Sequence, residues 1–237
     1  MSKTNIDKVF LSITILLLIA GIFIFSSASL GVLAKSEAKF YNIVFNQIIL
    51  GLSLGIFSLI IFSKFNYKIL RKYAFIIFIL AVVINLLVFV PGIGFSHNGA
   101  RRWIEIASFS FQPSEILKIS FVIYLAALLT WAKDRAKTFR YGILPFLALI
   151  IICGGILLKQ PDTGTFMVIF ATGISMLLVN GARWRDIFLL FTSSVVGIAI
   201  LSFLKPYVMA RILTFLNPSV DISGASYQLN QSLIAVG

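Results

Sequence analysis

The sequence has very few of the residues that build metal and disulfide sites. Its 237 residues include one cysteine, Cys153, and one histidine, His97. A disulfide needs two cysteines and a structural zinc site needs about four thiolate or imidazole ligands, so neither is expected here. Acidic residues are also scarce, with 8 Asp and Glu against 20 Lys and Arg. We therefore predict no metal site and no evident cofactor, while a requirement for a divalent cation is left open.

Apolar residues dominate what remains. They make up 59% of the sequence, charged residues make up 12%, and the mean hydropathy is +1.03. A soluble protein could not cover so much apolar surface, which excludes that class. A hydrocarbon layer about 30 Å thick needs roughly 20 helical residues, whose backbone groups must bond within their own segment. We therefore predict an all-α, polytopic membrane helix bundle that forms a single transmembrane domain over residues 1–237.

Seven apolar runs are long enough to be spans. The first follows Lys3 and Lys8 and precedes small residues, a pattern that a signal peptide would also show. Because its apolar run exceeds a usual signal core and six more runs follow, we interpret it as a transmembrane helix. The spans are predicted at about 9–26, 43–63, 73–91, 113–131, 142–158, 164–180 and 186–204.

The basic residues predict the orientation. With a cytoplasmic N-terminus, 12 of the 20 cations lie on the inner side, as the positive-inside rule requires. The net charge of +12 then reflects topology rather than nucleic acid binding. The clusters at 64–72 and 133–140 are interpreted as anchors for anionic lipid headgroups. The inner cations are Lys3, Lys8, Lys64, Lys68, Arg71, Lys72, Lys133, Arg135, Lys137, Arg140, Arg183 and Arg185.

Charged residues also gather on the predicted outer side, where the positive-inside bias does not require them. They come from four separate regions of the chain. Ionisable groups near apolar spans are costly unless they are paired or used, so we expect a binding site there. Adjacent arginines form a suitable fork for an anionic phosphate group. The candidate residues are Arg101, Arg102, Glu115, Lys118, Lys159, Asp162 and Arg211, with Glu105 nearby in the sequence.

Each of these features also has a purely structural explanation. Lys118 lies three residues after Glu115 on one helix face, so the two could simply pair with each other. Pro161 and Asp162 are typical of a helix start, with the carboxylate accepting from backbone N–H groups. The two arginines could anchor a re-entrant segment at the interface. Residues 207–216 could form an interfacial helix or a loop.

Four motifs follow one another along the chain: Asn98-Gly-Ala-Arg-Arg-Trp-Ile104, Phe111-Gln-Pro-Ser-Glu-Ile-Leu-Lys118, Gln160-Pro-Asp-Thr-Gly164 and Tyr227-Gln-Leu-Asn-Gln-Ser-Leu-Ile-Ala235. In order and spacing they resemble motifs of the SEDS family (shape, elongation, division and sporulation), which includes FtsW, RodA and SpoVE. The Asn-Gly before the arginines and Phe215-Leu-Asn-Pro218 are more similar to the division-type FtsW than to the elongation-type RodA. Since family members have about ten spans, we expect the chain to be an N-terminal portion.

The resemblance implies a glycosyltransferase that polymerises lipid II, an undecaprenyl-pyrophosphate-linked substrate, on the outer face of the bacterial cytoplasmic membrane. It also implies a partner, a class B penicillin-binding protein with transpeptidase activity. A lipid II flippase and a non-catalytic division scaffold stay open as alternatives. Under the resemblance, Glu115 and Asp162 orient the cations or the acceptor sugar. The expected phosphate or sugar contacts are Arg101, Arg102, Lys118, Lys159 and Arg211.

The catalytic residue stays unknown. A carboxylate acting as general base would help one saccharide hydroxyl attack the anomeric carbon of the other. In the family the favoured carboxylate lies in an outer loop downstream of the Gln-Ser-Leu-Ile-Ala stretch, beyond Gly237. Asp162 is not expected to replace it. Neither is Asp221, because its neighbours are turn residues.

Overall fold

The computed structural model describes residues 7–33, 41, 44–97, 100–106, 109–204, 206–216 and 227–236. Most of these residues are helical, which confirms the predicted helical membrane bundle. The chain divides into two compact units, residues 1–67 and residues 68–237. The single transmembrane domain over 1–237 stays a prediction.

The first unit contains α1 (Lys8–Leu33) and a π-helical segment (Phe45–Leu52) that continues directly into α2 (Ser53–Lys64). Asp7 caps α1, because its carboxylate accepts from the backbone N–H groups of Val9 and Phe10, each at 3.0 Å. Most side chains of α1 and α2 are exposed and apolar, as expected for surfaces that face hydrocarbon.

The second unit holds the remaining helices. A 3-10 turn (Lys133–Lys137) and a π-helical turn (Phe139–Ile143) connect α4 to α5. The helices are α3 (Tyr67–Leu87), α4 (Pro113–Ala132), α5 (Leu144–Lys159), α6 (Thr163–Val179), α7 (Trp184–Leu204), α8 (Pro206–Leu216) and α9 (Tyr227–Val236).

The core of this unit lies among α4, α5 and α6. Phe121 of α4 and Phe146 of α5 are fully buried within it, and the buried cluster contains no charged side chain. Gly173 lets α6 approach both neighbours, since an added Cβ would lie 2.3 Å from Phe146 Cε2 and 3.1 Å from Phe121 Cζ. The middle of the unit is therefore closely packed and apolar.

A small antiparallel sheet lies between α3 and α4 in the chain, at the position where a re-entrant segment is one of the alternatives for the two arginines. Its strands are β1 (Gly94–His97), β2 (Ala100–Ile106) and β3 (Phe109–Phe111), with β2 in the centre. Gly94 pairs with Ile104, and Ile104 pairs with Phe111. Glycine is needed at 94, because a Cβ there would lie 1.8 Å from the carbonyl oxygen of Val88. Arg102 and Ile104 are less exposed than Arg101, Trp103 and Glu105, the alternation expected for a strand.

The predicted spans correspond in position to helices of the structure. Among the described residues, five helices are long and apolar enough to cross a membrane, and α2 and α6 are shorter apolar helices. The count of seven spans stays a prediction. The third helix is shifted toward the N-terminus relative to its predicted range of 73–91, since α3 begins at Tyr67 and ends at Leu87. It ends early because a turn precedes Pro91 and Gly92, residues that disfavour a helix.

Candidate functional site

Arg102 of β2 forms hydrogen bonds with the turn between α5 and α6. Its Nε donates to the carbonyl oxygen of Gln160 at 3.0 Å, and its Nη2 donates to that of Pro161. These carbonyls follow the last residue of α5, where a cation also complements the negative end of the helix dipole. The guanidinium is half-buried, and two of its five N–H donors are used in these bonds.

Asp162 occupies the start of α6 and is only 6% exposed. One carboxylate oxygen accepts from the backbone N–H of Thr165 at 3.3 Å, which confirms the predicted helix cap. The other accepts from Gln112 Nε2 at 3.0 Å and from Ser114 Oγ at 3.3 Å. A single buried carboxylate thus ties α6 to the residues around the start of α4.

Asn85 adds a second buried connection. Its Nδ2 donates to the carbonyl oxygens of Ala81, at 2.9 Å, and Pro113, at 3.0 Å. Its own backbone carbonyl accepts from Gln160 Nε2 at 3.0 Å. Among the described residues no partner reaches Asn85 Oδ1. We call the set formed by Asn85, Arg102, Gln112, Ser114, Gln160 and Asp162 the polar cluster.

Glu115 and Lys118 lie beside this cluster in the chain, on the first turns of α4. Their side chains form an ion pair with Glu115 Oε2 2.8 Å from Lys118 Nζ, and they are 59% and 31% exposed. The pairing predicted as the simpler explanation is therefore present. A contact between Lys118 and a substrate stays a prediction.

Arg211 brings α8 to the same place. Its Nη1 donates to Thr163 Oγ1 at 2.6 Å, next to the buried Asp162. Residues 206–216 form a helix, which supports the helical alternative for this segment over the loop, while its position at a membrane interface stays a prediction. The guanidinium is exposed, so its other N–H groups can reach a ligand.

The structure thus joins three of the seven candidates, Arg102, Asp162 and Arg211, through one turn of the chain. Arg101 and Lys159 are exposed. Asp221 lies outside the described residues. Within the described ranges, no group of three His, Cys, Asp or Glu side chains is placed to hold a metal ion, and the question of a divalent cation stays open.

Four residues of the polar cluster were not among the predicted site residues: Asn85, Gln112, Ser114 and Gln160. The sequence contains one signal for Asn85, a carboxamide within the otherwise apolar run 81–90, where an unpaired polar group would be expensive. The other three lie inside the motifs quoted above, but their partners are 48 to 75 residues away in the chain.

Comparison with known proteins places this arrangement in context. Residues 7–237 match the family model FTSW_RODA_SPOVE, described as a cell cycle protein. The chain is 35% identical to the "Probable peptidoglycan glycosyltransferase FtsW" of Alcanivorax borkumensis over 235 residues. This match covers 99% of the present chain and 61% of that protein. It is 32% identical to the "Stage V sporulation protein E" of Bacillus subtilis, over 99% of the chain and 64% of that protein.

A solved structure is also similar. It is described as "Structural coordination of polymerization and crosslinking by a peptidoglycan synthase complex", and one of its chains matches with a TM-score of 0.71 at 29% identity. The match covers 94% of this chain and 64% of that one. The present chain therefore spans less than two thirds of the length of these three proteins.

Proposed function

Because the chain belongs to the FtsW/RodA/SpoVE family of cell cycle proteins, we propose that it forms the lipid-binding part of a peptidoglycan glycosyltransferase. The whole protein polymerises lipid II at the outer face of the bacterial cytoplasmic membrane. One observation carries the proposal: β2, the start of α4, the α5–α6 turn and α8 bring ionisable groups to one end of the second unit.

The cations at this end divide into two groups. Arg102 is half-buried and bonded to two carbonyls, so we assign it, with Asp162, to hold the turn in place. Arg101, Lys159 and Arg211 are exposed, and we assign them to the diphosphate of lipid II. Guanidinium and ammonium groups form charge-assisted hydrogen bonds with phosphate oxygens, which are stronger than bonds between neutral groups.

The ion pair of α4 has a different role. Lys118 already has a counter-ion, so a diphosphate would have to compete with Glu115 for its ammonium. A sugar hydroxyl can instead accept from Lys118 or donate to Glu115 without separating the charges. We assign the pair to the saccharide part of the substrate. The general base is not assigned to any residue of this chain.

The same geometry favours polymerisation over transport. A flippase needs a path that lets a charged headgroup cross the bundle. Below the polar cluster, the described core contains no charged side chain and is filled by large groups such as Phe121, Phe146 and Leu177. Moving a diphosphate through this packing would require the helices to separate.

The proposal also concerns orientation and partner. We place the N-terminus in the cytoplasm, because the basic residues of the α4–α5 and α6–α7 connections then lie inside and the polar cluster outside. We propose a class B penicillin-binding protein as partner, supported by the similarity to a chain of a peptidoglycan synthase complex.

Lipid II binding tests the assignment. In the full chain, reconstituted in lipid nanodiscs, the double variant Arg101→Ala/Lys159→Ala should bind fluorescent lipid II about tenfold more weakly, because two charge-assisted contacts are lost. The matched control, Lys133→Ala/Arg183→Ala, removes the same charge at the opposite end and should bind normally.

Two outcomes would contradict the assignment: unchanged affinity in the first variant, or an equal loss in the control. A division scaffold predicts that the full chain retains its protein partner but binds lipid II no better than a lipid without the diphosphate. The same assay, with undecaprenol as the comparison lipid, separates the two functions.

A further inference from the structure

The opposite end of the second unit carries six exposed basic side chains that the proposed function does not use. They lie in two connections, one between α4 and α5 and the other between α6 and α7. We call this set the basic end: Lys133, Arg135, Lys137, Arg140, Arg183 and Arg185.

The two connections are in contact. Gly181, which has a φ of +83° at the end of α6, packs against Lys137, and a Cβ at Gly181 would lie 3.5 Å from Lys137 Cε. Lys137 Nζ in turn lies 3.3 Å from Asp134 Oδ1. The basic end is therefore one assembled surface, and the carboxylate of Asp134 is already engaged by Lys137.

Arg135 and Arg140 are gathered around a single aromatic ring. Their guanidinium carbons lie 5.9 Å and 5.8 Å from the centroid of Tyr141, distances at which cations and aromatic rings attract. Within the described part of the chain, no carboxylate lies within ion-pair distance of either arginine. Two like charges held on one ring repel each other, so an anion that contacts both would be bound favourably.

Exposed aromatic residues indicate the depth of these arginines in the membrane. Trp131, in the last turn of α4, is 69% exposed, and Trp184, the first residue of α7, is 77% exposed. Indole rings favour the boundary between hydrocarbon and headgroups. Arg135 lies just after the end of α4 and Arg140 just before the start of α5, which places both at headgroup level.

We propose that the basic end is a specific binding site for an anionic phospholipid, whose phosphodiester accepts hydrogen bonds from Arg135 and Arg140 beside the ring of Tyr141. The acyl chains lie along the exposed apolar helix surfaces beside Trp131 and Trp184. An acidic protein segment would match the charge but would leave those apolar surfaces uncovered, so a phospholipid is the better fit.

The second basic cluster predicted from sequence offers a contrast. Lys64 and Lys72 are exposed, and Lys72 lies over the ring of Tyr73, with its Nζ 5.4 Å from the ring centroid. Both clusters attract anionic lipid through net charge. A defined site at the basic end predicts that Arg135 and Arg140 contribute more to the binding of anionic lipid than Lys64 and Lys72 do.

Tryptophan quenching can measure this difference. The chain has three tryptophans, and Trp103 lies in β2 at the other end, so Trp103→Phe leaves reporters only beside the basic end. The full chain with this substitution is reconstituted in phosphatidylcholine vesicles containing brominated phosphatidylglycerol or brominated phosphatidylcholine. We expect stronger quenching by the brominated phosphatidylglycerol.

Adding Arg135→Gln/Arg140→Gln should lower the preference for phosphatidylglycerol over phosphatidylcholine by about fivefold or more, since it removes two charge-assisted hydrogen bonds to the phosphodiester in addition to the net charge. Adding Lys64→Gln/Lys72→Gln removes the same net charge without those contacts and should lower the preference by a clearly smaller factor. Equal quenching by the two lipids in the parent protein would overturn the site. So would an equal loss in both double variants, or no loss in either, and helix content by circular dichroism verifies that each variant is folded.

Discussion

The polar cluster and the basic end lie at opposite ends of the same helices, yet their charges are arranged differently. In the polar cluster, Asp162 is buried and Arg102 half-buried, and their hydrogen bonds reach residues about fifty or more positions away. At the basic end, Arg135 and Arg140 are exposed and lie over the ring of Tyr141, which is close in sequence.

This difference separates two uses of charge in a membrane protein. A buried ionised group must be hydrogen-bonded, because an unpaired one is expensive in a medium of low polarity, so it holds distant segments in one arrangement. An exposed charge at the interface has water and lipid headgroups as partners and does little for the fold. The polar cluster should therefore determine stability and geometry, while the basic end should determine the lipid environment.

The largest expected effect is that of Asp162→Ala. The change removes three hydrogen bonds and leaves the half-buried donor of Gln112 and the buried donor of Ser114 without their acceptor. We expect a loss of about 2–4 kcal/mol in the free energy of unfolding. Thermal unfolding in detergent, followed by circular dichroism, would measure it.

Asp134→Ala is the matched control. Asp134 also carries a carboxylate with a basic partner, but the pair is exposed and three residues apart on one turn. We expect no measurable change in the unfolding midpoint, because such pairs contribute little. Similar losses of stability in Asp162→Ala and Asp134→Ala would mean that burial does not distinguish the carboxylates at the two ends.

A smaller effect is expected for Asn85→Leu. The change removes the donor to the carbonyl oxygens of Ala81 and Pro113, and the latter lies at the start of α4. Asn85 Oδ1 is buried and has no partner among the described residues, so removing this oxygen is favourable and partly offsets the loss of stability. A destabilisation of about 1 kcal/mol is expected, because the hydrogen bond that joins α3 to the start of α4 is lost.

The control for this substitution is Asn180→Leu, near the basic end. Asn180 Nδ2 is a buried donor with no acceptor among the described residues, so its removal breaks no hydrogen bond of that group. Its unfolding midpoint should be equal to or above that of the parent protein. A loss as large as that of Asn85→Leu would contradict our account of the polar cluster.

The positions of the helices were predictable because apolar runs of sufficient length have few other solutions in a membrane. The cap at Asp162 and the pair formed by Glu115 and Lys118 were predictable too, since both depend on neighbours three residues away. These features are local, and local sequence is enough to specify them.

The rest of the site depends on tertiary contacts. Nothing in the sequence around Arg102 indicates that it bonds to two backbone carbonyls rather than to a ligand, because those carbonyls belong to residues 58 and 59 positions later. The short strands were also missed, since their alternation covers only a few residues between apolar helices. Asn85 and Gln160 acquire their roles only when α3 and the α5–α6 turn meet.

The smallest expected effect concerns Arg211, an exposed cation that nevertheless reaches the polar end. Arg211→Ala removes the hydrogen bond to Thr163 but exposes no buried group, so the global unfolding midpoint should be unchanged. Amide hydrogen exchange in α8 should accelerate roughly fivefold, because local opening of the helix no longer requires the hydrogen bond to Thr163 to break. Exchange in α4–α6 should stay the same, and Arg185→Ala, an exposed arginine at the basic end, should not alter exchange in α8. If α8 exchanges at the parental rate in Arg211→Ala, then its hydrogen bond to Thr163 does not hold the helix, and exposed charges behave alike at both ends.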